Sequence, residues 1–229
     1  RVKQNLNRLA GENLEKVPIL SAPTCYNYRN KVIFPVGSLK NKAYAGFYRA
    51  GSHQIVENEG CRIGFPEADL VKKAVLDYMN QYRVSAYNEA EHKGLVRHIY
   101  VRVNKKGESL CCIVVNGRQL PREPELAALI VAAAPKTVGV VLNTNTRKGN
   151  VILGDKYRTI WGRDFLMDTL CGLEFKLSVP SFYQVNRDQA EVLYGKALEF
   201  AGLTGEETVL DLYCGTGTIT LCLAQKAKK

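Results

Sequence analysis

The stretch VLDLYCGTGTITL, residues 209–221, constrains the fold more than any other part of the chain. An apolar run ends at an acid, breaks into Gly-Thr-Gly, and turns apolar again. Gly215 and Gly217 let the backbone turn tightly and approach a ligand closely. A helix that starts directly after such a turn aims its first free amides at that ligand. Strand, glycine loop and helix in that order open a doubly wound α/β domain, with its ligand crevice at the carboxyl end of the strand. Asp211, at that strand end, is placed to accept hydrogen bonds from loop amides or from a cationic group. A dinucleotide fingerprint needs a further glycine three residues after Gly217, and Thr220 stands there instead. An acid four residues before the first glycine fits better the loop that holds S-adenosylmethionine. Another nucleotide site, or a purely structural turn, is the alternative that the loop alone leaves open.

Upstream of the loop the periodicity predicts a helix that Asn186 caps, with Gln189 as reciprocal partner. Its apolar face would be Ala190, Leu193, Tyr194, Ala197, Leu198 and Ala201, and Gly202 would end it. A turn, TGEE, leads to a predicted strand TVLDLY, and a last helix is expected over about Thr218–Ala227. Before this unit the chain is strand-rich. YRNKVIFPVG reads as a strand and YAGFYRAGSHQIV as a hairpin or a pair of strands. Residues 66–82 read as a helix with Val71, Val75, Tyr78, Met79 and Tyr82 on one face. LVRHIYVRV and SLCCIVV flank turn residues 104–108 and suggest a hairpin. Pro124 opens a helix that Pro135 ends. VGVVLNTN, NVILG and YRTIWG are three further strand candidates, and Val2–Leu9 reads as a short helix stopped by Gly11. The expected fold is therefore a mixed, strand-rich α+β central domain over 21–178. An N-terminal helical segment, 1–20, precedes it. The opening helix, strand and helix of a Rossmann-like α/β domain follow over 179–229.

Lys and Arg number 32 against 22 Asp and Glu, a net charge of +10 that suggests a polyanionic partner. Cysteines number seven, with no C-x-x-C pair, and several sit inside apolar runs. That pattern suits buried thiols in a reducing compartment rather than a disulfide framework. The longest apolar stretch, Leu126 to Ala134, is far short of the ~20 residues a membrane span needs. RVKQNLNRLAG does not resemble a signal peptide, so the cytoplasm is the expected location.

PSFYQVNRDQAEVLYGKALEFAGL followed by ETVLDLYCGTGTITLCLA resembles the RNA (uracil-5-)-methyltransferase family, S-adenosylmethionine-dependent enzymes that act on tRNA or 23S rRNA. YRNKVIFPV, GFYRAGSHQIVENEGC, GLVRHIYVR and NVILG stand in the family's usual order, more loosely matched. The resemblance implies cofactor contacts from Gln184, in F-x-Q-V-N, and from Tyr213, the aromatic residue before Cys-Gly. Thr218, after the second glycine, joins them, with Asp211, Gly215 and Gly217 shaping the loop. It also implies that Cys61, in IVENEGC, matches the last of four cysteine ligands to a 4Fe-4S cluster in a longer parent chain. One thiolate cannot hold a cluster that needs four.

The family's nucleophile is a cysteine much further towards the C-terminus, whose thiolate adds to C6 of uracil and makes C5 nucleophilic. A glutamate serves as base for the C5 proton. Neither matches a residue here, so Cys214 reads as a small loop residue. The chain is expected to be a fragment that does not methylate RNA alone and binds S-adenosylmethionine weakly. Its second Rossmann strand and small N-terminal β-barrel domain are expected to be missing. Arg29, Lys31, Arg49, Arg97, Arg102, Arg147 and Lys148, beside Tyr28, Tyr48 and Tyr100, are the candidate RNA-facing set. Phe182 is the candidate for packing near a flipped base. The three histidines read as structural, with His98 a satisfied, half-buried strand residue. A non-catalytic RNA-binding module with a vestigial cofactor loop is the second reading, and a nucleotide-dependent oxidoreductase the third.

Overall fold

Two short turns set the register of the sheet. Lys40 and Asn41 both take positive φ, 50° and 63°. They form the two-residue turn that matches strand twist, joining β1 (Lys31–Leu39) to β2 (Lys42–Tyr48), with Leu39 opposite Lys42. The computed structural model describes residues 1–11 and 18–229, so part of the expected N-terminal segment lies outside the described residues. Within it, α1 (Val2–Ala10) ends at Gly11, which adopts the left-handed conformation as expected.

The remaining elements of the sheet are β3 (Ile55–Glu57), β4 (Val96–Val103), β5 (Ser109–Val115), β6 (Thr137–Thr144) and β7 (Lys156–Gly162). They form one seven-stranded sheet in the order β3-β2-β1-β4-β5-β6-β7. Only β5 and β6 run parallel, and the connection between them carries α3 (Glu123–Ala133). A parallel pair requires such a crossover. Helices α2 (Pro66–Gln81) and α3 lie on one face. Val71, Val75, Tyr78 and Met79, the predicted stripe, are buried in the main core with Ile99, Val101, Val103, Leu126 and Ile130. On the opposite face Tyr100, Leu110, Cys112 and Val141 pack with Leu166 and Val179. With both faces covered, β4 and β5 are buried along their whole length, which explains the unbroken apolar run SLCCIVV.

Leu166 belongs to a hairpin that the sequence reading did not anticipate, β8 (Phe165–Leu170) and β9 (Leu173–Ser178). Its turn is Cys171-Gly172, again with both φ positive. The hairpin reaches into a second cluster, in which Leu170, Phe175 and Leu177 pack with Tyr183, Ala190, Tyr194 and Cys222. The last four come from the C-terminal segment, which contains α4 (Arg187–Ala201) and α5 (Thr218–Ala224). The hairpin thus ties the sheet to the glycine-loop unit.

Several expectations need correction. NVILG is not a strand. Its carbonyls are taken by asparagine side chains: Asn145 Nδ2 donates to Val151 O and Ile152 O at 2.6 and 2.9 Å. Asn143 exchanges two bonds with Gly154, at 2.9 and 2.8 Å. TVLDLY is not a strand: residues 208–211 carry no regular structure, and Leu212 and Tyr213 form a turn. Its backbone bonds go to the last residues of the chain: Val209 N to Lys229 O at 2.8 Å, and Lys229 N to Glu207 O at 3.3 Å. These are isolated backbone bonds and form no strand pair. Helix α5 stops at Ala224 rather than Ala227. Asn186 caps α4 by accepting from Gln189 N at 3.1 Å, but Gln189 does not reciprocate; its Nε2 donates to Leu20 O. Leu193, placed on the apolar face, is 58% exposed. Among the described residues no helix is long and apolar enough to cross a membrane.

Candidate functional site

The glycine loop takes the shape its composition requires. Gly215 and Gly217 have φ of 56° and 76°, a region open to glycine and strained for other residues. Gly217 N donates to Cys214 O at 2.7 Å, closing the turn, and Gly217 is the N-cap of α5 with no side-chain cap on the helix. The amides of the first turn therefore face outward without a side-chain partner. Asp211 braces this turn. Its Oδ1 accepts from Tyr213 N at 3.1 Å, and its Oδ2 accepts from Thr220 Oγ1 at 2.5 Å. Thr220 occupies the place of the absent third glycine and uses it to lock the helix to the acid.

A relay of hydrogen bonds joins the loop to the sheet. Thr216 Oγ1 donates to Phe182 O at 2.9 Å. The segment before Phe182 is held by β4: Tyr100 OH donates to Val179 O at 2.9 Å, and Arg102 Nη2 donates to Ser181 O at 2.5 Å. Arg102 also donates to Tyr100 OH from Nε and Nη2, at 3.0 and 2.7 Å. On the other side Asn30 Nδ2 donates to Gln184 O at 2.9 Å, and Asn30 N to Val185 O. SFYQVN is thus held at Ser181 by β4 and at Gln184 and Val185 by Asn30, the residue before β1, and its Phe182 carbonyl meets the loop.

Asp211, Gly215, Gly217 and Thr218 sit together in the loop, whereas Gln184 lines a separate cavity with Leu20, Gln189 and Leu193. Tyr213 is 95% exposed and Phe182 63%. Gln184 is half-buried, with its side chain uncommitted. The Thr218 hydroxyl is turned inward against Tyr194 OH at 2.9 Å and is buried, so only its backbone faces the loop. Cys214 is an exposed free thiol.

Sequence reasoning missed Thr216, Asn30 and the positioning role of Arg102. The available signal was an arginine alternating with Ile99, Val101 and Val103 in a strand. Three members of the RNA-facing set are corrected accordingly. Arg102 and Tyr100 are 1% exposed, and Arg97 is 4% exposed with Nη1 donating to Asn145 O and Arg147 O. Arg49, Arg147 and Lys148 remain at the surface. His98 is buried rather than half-buried, and its Nδ1 has no partner. Burial lowers its pKa to about 4, with the Arg97 guanidinium adding to the effect.

Cys61 is partly exposed, and its amide donates to Asp69 Oδ2 at 2.9 Å. Among the described residues no group of three or more His, Cys, Asp or Glu is arranged to hold a metal ion. A cluster that takes four thiolates does not fit these residues.

No family model matches the chain. Three bacterial proteins described as uncharacterized RNA methyltransferases do. The one from Clostridium tetani is 41% identical over 230 residues, taking in 100% of this chain and 50% of that protein. The one from Halalkalibacterium halodurans is 41% identical over 212 residues, 92% and 46% of the two chains. The one from Caldanaerobacter subterraneus is 41% identical over 229 residues, 99% and 50%. The crystal structure of Pyrococcus abyssi tRNA (uracil-54, C5)-methyltransferase in complex with S-adenosyl-L-homocysteine superposes with a TM-score of 0.78. It does so at 24% identity, over 97% of this chain and 51% of that one. The chain spans about half the length of the curated relatives it matches. Over its whole length the chain is similar in sequence to proteins described as RNA methyltransferases, and it shares the fold of the corresponding half of the Pyrococcus abyssi enzyme.

Proposed function

We propose that this chain contributes the opening half of an S-adenosylmethionine site and an RNA-facing domain to an enzyme that methylates C5 of a uridine in tRNA or 23S rRNA. The observation that carries the reading is the Thr216–Phe182 bond. It ties the glycine loop to SFYQVN, which supports reading the two motifs as parts of one site. S-adenosylmethionine supplies an electrophilic methyl group. This chain's residues bind and orient: the outward amides after Gly217 meet the ligand's carboxylate or polar edge. Gln184 offers an uncommitted amide, and Tyr213 an exposed ring for the cofactor to pack on. Asp211 keeps the loop closed. Phe182, exposed beside the loop, packs near the uracil once it has left its stack. The nucleophilic thiolate and the base for the C5 proton come from the cysteine and glutamate that the family resemblance places outside these motifs. A 4Fe-4S cluster is not part of the reading for the described residues.

The test is calorimetric titration of the chain with S-adenosylhomocysteine. Saturable, weak binding that Thr216→Ala weakens further supports the site, and no heat at millimolar ligand sinks it. Methyl transfer from labelled cofactor to unmodified RNA by this chain alone would move the nucleophile to one of its own cysteines. Salt-dependent RNA binding with no cofactor binding would favour the vestigial-loop reading.

A further inference from the structure

A second cavity, of about 340 Å³, lies where β1, β2 and β4 meet the loop 149–152. Nothing in the cofactor site uses it. Its walls are partly aromatic. The rings of Tyr48 and His53 sit 5.6 Å apart and 37° from coplanar, with His53 Nδ1 paired to Glu89 Oε2 at 2.6 Å, and Tyr87 also lines it with the Arg97 guanidinium 4.3 Å over its ring. His98 lines the same cavity while only 7% exposed, and its Nδ1 has no partner within the protein. An unpaired polar group at that depth costs free energy that a ligand could return. One nitrogen of a neutral imidazole can make a single hydrogen bond to a base edge, as donor or acceptor. The loop forming one lip follows directly on Arg147 and Lys148, both exposed, which suit phosphates on either side of a bound base.

The position along the sheet adds to this. His98, Tyr100 and Arg102 alternate on β4 and so share a face. Arg102 holds Ser181, and the next residue, Phe182, holds the glycine loop. Four residues of strand separate His98 from Arg102, about 13 Å. One extended polynucleotide can reach both places.

We propose that this cavity receives a nucleobase of single-stranded RNA, stacked on Tyr48 and Tyr87 and read at its edge by His98, a few nucleotides from the base offered to the glycine loop. The identity of the polymer rests on the methyltransferase reading. Flat walls and an edge-reading floor suit an unstacked base and not a duplex, whose bases are already paired and stacked.

The probe is an unstructured 12-nucleotide RNA carrying 2-aminopurine at one position, moved stepwise along the strand, with the chain as it stands. One position, or two adjacent ones, should change emission on binding, because stacking on an aromatic ring alters 2-aminopurine fluorescence. Tyr48→Leu, at a partly exposed position that the fold does not need, should abolish that change and weaken binding roughly 5- to 100-fold. Tyr87→Leu should reproduce the loss, and Lys148→Ala should lower affinity for every strand alike while leaving the emission change in place. Equal affinity and emission in wild type and both tyrosine variants overturns the proposal, and so does an emission change spread evenly along the strand. If S-adenosylhomocysteine binds but RNA does not, this inference fails and the methyltransferase reading stands. If the base stacks but the cofactor never binds, the reverse holds.

Discussion

In β4 and β5 even an arginine is inside the protein, while at the glycine loop even leucines are outside. Arg102 is 1% exposed; Leu210, Leu212 and Tyr213 are 79%, 75% and 95% exposed. The sheet can take in a guanidinium because it meets it with oxygens: a tyrosine hydroxyl and a main-chain carbonyl. Such charge-assisted bonds offset the desolvation that burial costs. The loop does the opposite. Its polar groups are bonded to one another through Asp211, Thr216 and Thr220, and its apolar groups are left to meet something else. The comparison teaches that the sheet buries its charges among its own oxygens, whereas the loop unit leaves apolar side chains exposed. The measurements below attack that contrast, starting with the largest effect.

Arg102→Ala should strike both regions at once. It removes a fully buried side chain and strands the Ser181 carbonyl, while the Tyr100 hydroxyl keeps its bond to Val179 O, a loss of about 4 kcal/mol. It should also loosen SFYQVN and lower affinity for S-adenosylhomocysteine, although Arg102 is two strand residues and a chain segment removed from the loop. Urea denaturation and calorimetry on the same preparation read the two effects. A stability loss with cofactor affinity intact would show that the relay from β4 to the loop carries nothing.

His98 gives the scaffold a pH dependence of its own. Burial holds its pKa at about 4 in the folded chain, below the ordinary histidine value. Between that value and about 6.5 the unfolded chain binds the extra proton and the folded one does not. Stability is therefore full above pH 6.5, falls as pH drops towards 4, and falls no further on this account below that. The integrated effect is about 3 kcal/mol at most. Carboxylates add their own slope at the acid end, so the readout is the difference between the chain and His98→Gln. A matching pH profile for the two would mean that His98 is solvated and the cavity floor open.

Which parts of this were legible beforehand follows the same divide. The stripe Val71, Val75, Tyr78 and Met79 announced α2, because a helix that buries one face against a sheet must repeat at that spacing. The glycine loop and the Asn186 cap were readable for a similar reason: each is a local device. What escaped was set by distant partners. The β8–β9 hairpin has the alternation of a strand pair, but Asp168 stands at an inward position between Leu166 and Leu170, and its turn is Cys-Gly instead of Asn-Gly. NVILG reads as a strand because its neighbours Asn143 and Asn145 do not look like ladder partners, yet their amides fill that role. Arg102 and Arg97 count as surface charges until the carbonyls that hold them are known. Thr218 was assigned by position, and only the location of Tyr194 shows where its hydroxyl points.

Thr216→Ala tests the hinge between the regions. Its hydroxyl makes a single exposed bond to Phe182 O, so the change in stability should be under about 1 kcal/mol. The proposed function requires more from the ligand side, a tenfold or greater loss of S-adenosylhomocysteine affinity, because the loop is no longer held against SFYQVN. Thr216→Ser keeps the hydroxyl and should restore binding. An equal loss in the serine variant would assign the effect to the threonine methyl group and remove the hydrogen bond from the account.

Tyr213→Ala has the smallest expected effect on stability and puts the contrast to its strictest test. A side chain that is 95% exposed buries almost nothing on folding, and substitutions at such positions usually stay within about 0.5 kcal/mol. If the ring is there for the cofactor, the same change should cost roughly fivefold or more in S-adenosylhomocysteine affinity, and Tyr213→Phe, which keeps the face, should cost little. A fall in both stability and affinity would mean that Tyr213 packs against the chain in solution and that the loop is less open than its exposed leucines imply. No fall in either would leave an exposed aromatic ring with no ligand to explain it, and the partner to look for would then be protein or RNA instead of a cofactor. The variant thus separates a surface shaped for a small molecule from one shaped for a macromolecule, a distinction that the stability of the sheet cannot reach.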